Sequence, residues 1–410
     1  MRRAPLSMMT LALTGECNLS CRYCYQNTKS GRRMPWMVLR SAADRLLQST
    51  SSRAELVFAG GEPLLALDAI QRVVEDIGRR GGPGRPVQYN LATNGTLLSS
   101  EVIAFLRRHA FAIQLSFDGV LPAQSVRGER SFARIDRALD ILRAEAPEIF
   151  WKRLTVGVTL DADAVPYLAE SVSYFLDKRL PAIVILPAGG QGARWTPGVL
   201  ATLERELKAV YSLARRHYDD TGRVPLAAFR KTSTDSPPDT GIVCGGATPS
   251  SVTVDVDGET YACPFLAESS QRFANQRLAA IVRPMRTGNV ASPAFWKRLA
   301  GLPLRARDTG MFHIGPERHS LHGHCLSCPY RLECTACPLT VLAEPEHDDA
   351  QRIPDYICAF NWILMGLRKR FPVQPDAAAL LGGQAPMPRL VRELLERAGS
   401  GKSRVSPTPR

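Results

Sequence analysis

The 410-residue chain contains ten cysteines, and three of them sit close together near its start. Cys17, Cys21 and Cys24 are separated by three and then two residues, directly behind an apolar run that reads as a strand. A loop that short cannot bring three thiols together for packing, but it can offer three thiolates to one cluster of irons. A [4Fe–4S] cluster is normally held by four cysteines. Three leave one iron open to a small molecule, and an open metal site is chemistry rather than scaffolding. Tyr23, just before the last cysteine, puts an aromatic face beside whatever binds there. The simpler readings are a redox cysteine pair or structural zinc. Zinc takes four ligands, usually as two pairs with a longer spacer, and nothing nearby supplies the fourth.

The totals set the frame for that loop. A hydrophobic content of 45% and a charged content of 22% are those of a soluble globular protein, and the length allows one large domain plus a smaller one. No apolar run approaches the roughly 20 residues of a membrane span. Met1, Arg2 and Arg3 before an apolar segment resemble the start of an export signal. Glu16 intervenes before Cys17, however, and the apolar part is only a strand long, so export is not expected. In a reducing cytoplasm, cysteines argue for metal rather than disulfides. The net charge of +13 comes from arginines spread along the chain. There is no basic helix or aromatic-basic stripe, so an acidic peptide or a plain solvated surface fits better than nucleic acid.

The hydrophobic periodicity then supplies the elements. Strands are expected at 8–13, 54–58, 87–93, 111–117, 154–160 and 182–186, and helices at 35–47, 67–77, 100–108, 131–143 and 167–176. Strands alternating with helices make right-handed βαβ units and a parallel sheet, whose sites lie at the carboxyl ends of the strands. The cysteine loop follows the first strand. Gly60, Gly61, Glu62 and Pro63 follow the second, Asn94 and Gly95 the third, and Asp118 and Gly119 the fourth. Glycine lets the backbone approach a ligand closely, and proline fixes the exit of the turn.

The arrangement C-x3-C-x-aromatic-C behind a first strand resembles the signature of the radical S-adenosylmethionine (SAM) superfamily at every position. That resemblance implies an α/β fold with a partial (β/α)6 TIM-type barrel. It also implies a [4Fe–4S] cluster on Cys17, Cys21 and Cys24 that binds SAM at its open iron. Gly60, Gly61, Glu62 and Pro63 match the family's GGEP turn, which holds the amino group of the methionine moiety. Asn94 and Ser116 end strands where relatives contact the ribose and carboxylate of SAM, and Arg127 matches an arginine near that carboxylate. The plain alternatives are a turn at Asn94–Gly95 and a surface arginine at Arg127.

A long helical segment at 197–218 leaves the barrel, and residues 232–240 form a polar, Pro-containing linker. Residues 251–263 alternate around Asp257 and Gly258 as a β-hairpin. Cys244 precedes the hairpin and Cys263 follows it. Cys325, Cys328, Cys334 and Cys337 come in one loop, and Cys358 follows after twenty residues. The spacing is too tight for two ordinary zinc knuckles. It resembles the cysteine-rich SPASM extension of radical SAM enzymes, with two residues rather than three between Cys334 and Cys337. By that resemblance Cys325, Cys328, Cys334 and Cys358 hold one auxiliary iron–sulfur cluster. Cys244, Cys263 and Cys337 hold a second with three thiolates, leaving an open iron or a non-cysteine ligand, for which His322 and His324 are candidates. The organisation expected is a barrel at 1–195, a helical bridge and linker at 196–240, the SPASM region at 241–370, and a terminal helix (388–397) and disordered basic tail within 371–410.

The family's chemistry is reductive cleavage of SAM to a 5′-deoxyadenosyl radical that takes hydrogen from an unactivated carbon. Auxiliary clusters accept the further electron that an oxidative product releases. The expected activity is therefore a peptide-modifying oxidoreductase, installing a C–S or C–C crosslink in a ribosomally made precursor peptide or acting on a cofactor precursor. The expected reductant is a flavodoxin or ferredoxin. Because the chain starts almost at the first strand, the leader peptide is expected to bind a separate protein or the basic surface. A second reading is a sulfatase-maturating enzyme forming formylglycine, whose relatives carry an aspartate after the hairpin cysteine where this chain has Pro264. A third is a non-catalytic iron–sulfur electron carrier or scaffold, which would have no use for residues 60–63 beside an intact cysteine motif.

Overall fold

The computed structural model describes residues 3–375 except 27, 81–85, 129, 191–193, 232–247, 268–279, 281–282, 310–316, 335, 338–343, 345–348 and 350. Cys244, the expected linker at 232–240, the helix at 388–397 and the tail lie outside the described residues.

Six parallel strands lie side by side in chain order: β1 (Met8–Ala12), β2 (Ala54–Ala59), β3 (Val87–Thr93), β4 (Ala112–Ser116), β5 (Leu154–Leu160) and β6 (Ile183–Pro187). Between and after them run α1 (Trp36–Gln48), α2 (Leu67–Arg80), α3 (Ser100–Arg108), α4 (Leu121–Gln124), α5 (Ser131–Glu145), α6 (Pro147–Arg153), α7 (Leu168–Asp177) and α8 (Pro197–Thr221). Parallel neighbours need such crossovers, because a tight turn cannot return the chain in the same direction. Leu56, Phe58, Leu91, Leu115 and Val156 are fully buried along the strands. Local signals fix the helix ends. Ser99 Oγ accepts from Val102 N at 3.3 Å to cap α3, and Thr196 Oγ1 does the same from Val199 N at 3.4 Å ahead of Pro197 in α8. Gly222, with φ of 69°, closes α8 in the left-handed conformation that suits glycine.

The far side of β1 departs from the sequence reading. The expected hairpin forms as β7 (Ser251–Val254) and β8 (Glu259–Tyr261), but β7 pairs parallel with β1 and a further strand, β9 (Arg286–Asn289), pairs with β8. Among the described residues the sheet therefore has nine strands, in the order β6-β5-β4-β3-β2-β1-β7-β8-β9. Periodicity finds a strand but not its partner, and Arg-Thr-Gly-Asn in β9 carries almost no apolar signal to find. The helix Asp355–Arg370 was also not anticipated. It buries Tyr356, Phe360, Leu364 and Leu367 against Leu203, Leu207 and Val210 of α8.

The described residues form two apolar cores. The larger lies along the sheet and carries Cys263 and Cys337 at its edge. The smaller lies among α7, α8 and the helix Asp355–Arg370, with Cys325, Cys334 and Cys358 against it. Among the described residues no helix is long and apolar enough to cross a membrane.

Candidate functional site

The cysteine loop leaves β1 and is held by the turn after β2. Gly61 N donates to Thr14 O at 2.7 Å and Glu62 N to Glu16 O at 2.8 Å. This contact requires glycine. A Cβ on Gly61 would lie 2.0 Å from Glu16 O, and one on Gly60, whose φ is 135°, would lie 2.6 Å from Thr14 O.

The Glu62 side chain turns inward. It is fully buried, and its carboxylate accepts from Leu64 N at 3.1 Å, Thr93 Oγ1 at 2.7 Å and Asn94 N at 2.8 Å. Burial pushes this carboxyl above its ordinary value, and those three donors pull the other way. Glu62 thus ties the end of β3 to the turn after β2, and what the turn can offer a ligand is backbone. Pro63 starts a buried 3-10 turn. Asn94 continues the chain of contacts. Its Nδ2 donates to Asn18 Oδ1 at 2.8 Å and lies 3.9 Å from Cys17 Sγ, while its Oδ1 accepts from Thr96 N at 3.0 Å.

A second set of bonds holds the other end of the loop. Arg127 is buried rather than at the surface, and its guanidinium makes two bonds to Asp118, Nε to Oδ2 at 2.8 Å and Nη2 to Oδ1 at 2.9 Å. Asp118 also accepts from Thr159 N at 2.9 Å and from the Tyr23 hydroxyl. Tyr23 therefore does more than present a face: its ring lies 5.2 Å from the Arg127 carbon it stacks beneath. Arg22 pairs with Asp161 at 2.6 Å and Asp163 at 3.0 Å, and Arg194 joins the same two carboxylates. Ser116 is half-buried at the end of β4, paired with Gly157. Asp161 was not singled out from the sequence, and Asp118 was noted only for following the fourth strand. Their positions just after strands were visible, but full burial of their charges was not.

The loop offers its thiols as a set. Cys17, Cys21 and Cys24 are partly exposed, are not joined by disulfides and lie near enough to repel one another when ionised. Burial pushes the Cys21 thiol up to about 11, although Arg127 lowers it. A metal bound by these thiols must displace their protons, so loading the site releases protons and is opposed as pH falls.

The C-terminal cysteines separate into two places. Cys325, Cys328, Cys334 and Cys358 line one cavity with Arg318, Ser320 and Trp362. Cys263 and Cys337 lie on the other core. His322 stacks on Trp362 at 4.0 Å between ring centres, and His324 is exposed beside His319. Both histidines thus belong to the loop of the four-cysteine cavity. Tyr25 links the barrel to the hairpin, with its ring 4.5 Å from that of Phe265 and its hydroxyl pushed well up by burial, then by Cys24 and Cys263. The donor set fits iron–sulfur clusters. Among the described residues no three His, Cys, Asp or Glu side chains converge on a single ion, whereas four thiols ring one cavity beside a buried cation whose Nη1 has no partner.

Comparison with known proteins agrees with this geometry. The radical SAM superfamily model matches residues 11–167. The cysteine-type anaerobic sulfatase-maturating enzyme of Clostridium perfringens is 30% identical over 152 residues, which is 34% of this chain and 41% of that enzyme. The chain spans about half the length of the curated relatives it first matches. Native anSMEcpe with bound AdoMet has a TM-score of 0.68 at 19% identity, covering 89% of this chain and 97% of that one. Streptococcus suis SuiB bound to precursor peptide SuiA has a TM-score of 0.53 at 13% identity, covering 86% and 76%. The likeness in fold extends well beyond the matched residues 11–167.

Proposed function

From the match of residues 11–167 to the radical SAM superfamily model, we propose that this chain is a SPASM-type radical SAM peptide-modifying enzyme that forms a C–S or C–C crosslink in a precursor peptide. The observation that carries the reading is the pairing of two cysteine arrangements on one sheet. The C-x3-C-x2-C loop leaves β1, and β7, hydrogen-bonded to that same strand, leads through the hairpin to Cys263. The relatives point the same way, since SuiB is described with a precursor peptide and the curated relative matures sulfatases.

Cys17, Cys21 and Cys24 would hold a [4Fe–4S] cluster, which would supply the one-electron chemistry that cleaves SAM and so opens the way to hydrogen abstraction from a peptide. The protein's own residues position and shield. Gly60 and Gly61 bring backbone against the cysteine loop, and Glu62 holds Asn94 where its amide reaches toward Cys17. Asp118 holds Arg127 and Tyr23 together on the other side of the loop. We assign Ser116, Asn94 and Arg127 to the SAM side of the site. The auxiliary clusters are assigned to Cys325, Cys328, Cys334 and Cys358, and to Cys244, Cys263 and Cys337. The reading also places the protein in the reducing cytoplasm with a flavodoxin- or ferredoxin-type reductant.

The second reading is a sulfatase-maturating enzyme, favoured by the names of the curated relatives. Against it, Pro264 follows Cys263 and opens a 3-10 turn, where a carboxylate base would be needed. Incubation of anaerobically reconstituted protein with SAM, dithionite and candidate peptides separates the two by mass spectrometry. A crosslink removes two hydrogens, keeps any sulfur and leaves no aldehyde, whereas formylglycine formation exchanges the sulfur of cysteine for oxygen or removes two hydrogens from serine, and in both cases leaves an aldehyde that a hydrazide reagent tags. Formylglycine as the product would overturn the first reading.

A further inference from the structure

Arg318 is buried to 4% exposure, and it lines the cavity of Cys325, Cys328, Cys334 and Cys358. Its Nη2 donates to Ala336 O at 3.0 Å, and its buried Nη1 has no partner. The charges that reach it are those of Cys325, Cys334 and Cys337 once ionised, and no carboxylate among the described residues pairs with it. A guanidinium does not deprotonate in a protein, and a buried cation without an anion is strongly destabilising. Donating one bond to a carbonyl does not require burial, so the packing of Arg318 calls for an anion in the cavity. Its place in the chain supports this. Its carbonyl accepts from Cys325 N at 2.8 Å, and Ser320, two residues on, places its hydroxyl 3.1 Å from Cys358 Sγ.

We propose that Arg318 is the built-in counter-ion of the cluster held by Cys325, Cys328, Cys334 and Cys358, and that its charge raises that cluster's reduction potential. The inference rests on reading this cavity as a cluster site. A cluster held by four thiolates is anionic, and reduction adds one electron without making or breaking a bond. The reduced form is the more negative, so a fixed neighbouring cation favours it. Arg318 acts through the cluster and is a positioning residue.

The test is a dithionite titration of the full, anaerobically reconstituted chain followed by electron paramagnetic resonance. The relevant signal is the one absent from Cys328→Ser. Arg318→Gln is expected to lower the equilibrium constant for reduction at least tenfold, about 59 mV toward negative potential for a one-electron couple. Arg318→Lys, which keeps the charge, should stay near the wild-type value. If Arg318→Gln does not retain the cluster, iron content replaces the potential. Retention by Arg318→Lys of about four irons that Arg318→Gln loses supports the proposal, and loss by both overturns it. A wild-type potential in Arg318→Gln, or an equal fall in both variants, also overturns it. Wild-type protein holding only about four irons per chain would remove the cluster reading itself, before any variant is made.

Discussion

The Arg127 guanidinium grips the Asp118 carboxylate with two bonds, of 2.8 and 2.9 Å, and both side chains are buried. The pair joins the end of β4 to the loop before α5. Through the Tyr23 hydroxyl it also reaches the cysteine loop. One carboxylate therefore fixes the side of the site opposite Asn94. Truncation of either partner leaves the other buried and unpaired, so Asp118→Ala is expected to cost about 3–5 kcal/mol. Denaturant unfolding of the iron-loaded protein measures this. A loss under 1 kcal/mol would show that Arg127 finds another partner.

Glu62 makes a different prediction. Glu62→Gln places an amide where a carboxylate accepts from Leu64 N, Thr93 Oγ1 and Asn94 N. One donor must then face another, at a cost of about 1–3 kcal/mol. Because Asn94 is held by this carboxylate, SAM affinity measured by calorimetry should fall too. Unchanged affinity together with reduced stability would confine Glu62 to the fold.

Gly61→Ala tests the close approach of the two turns. The new Cβ would lie 2.0 Å from the backbone oxygen of Glu16, and backbone cannot swing aside as a flexible side chain can. Barrel-site iron is expected to be lost while the C-terminal sites keep theirs, a fall from about twelve to about eight irons per chain. Full iron content would mean that the cysteine loop tolerates the shift.

Much of this was legible in the sequence because its signals are local. β3, α3 and β5 begin and end where hydrophobic periodicity and the flanking turn residues place them. The cysteine loop and the turn at residues 60–63 were equally visible, since each is one short segment after one strand. What was hidden depends on partners distant in sequence. β7 joins β1 across more than two hundred residues, and nothing in Ser-Val-Thr-Val says which edge it will choose. The burial of Arg127, Asp118, Asp161 and Arg318 is likewise invisible, because a charged residue reads as surface until its counter-charge is placed.

Cys325→Ser combined with Cys328→Ser separates the two kinds of cysteine. The doubly substituted protein should lose about four irons and still form 5′-deoxyadenosine, since the barrel thiols sit on the loop after β1 and do not line that cavity. Peptide product, followed by mass spectrometry, should fall at least tenfold. Undiminished product would remove the auxiliary cluster from the reaction.

The central claim is that Cys17, Cys21 and Cys24 hold the cluster that cleaves SAM. The direct measurement is 5′-deoxyadenosine formed from SAM and dithionite under anaerobic conditions, in the wild type and in the triple alanine variant at these positions. The wild type should form it and the variant should form none above the protein-free blank. Equal formation by both would contradict the account.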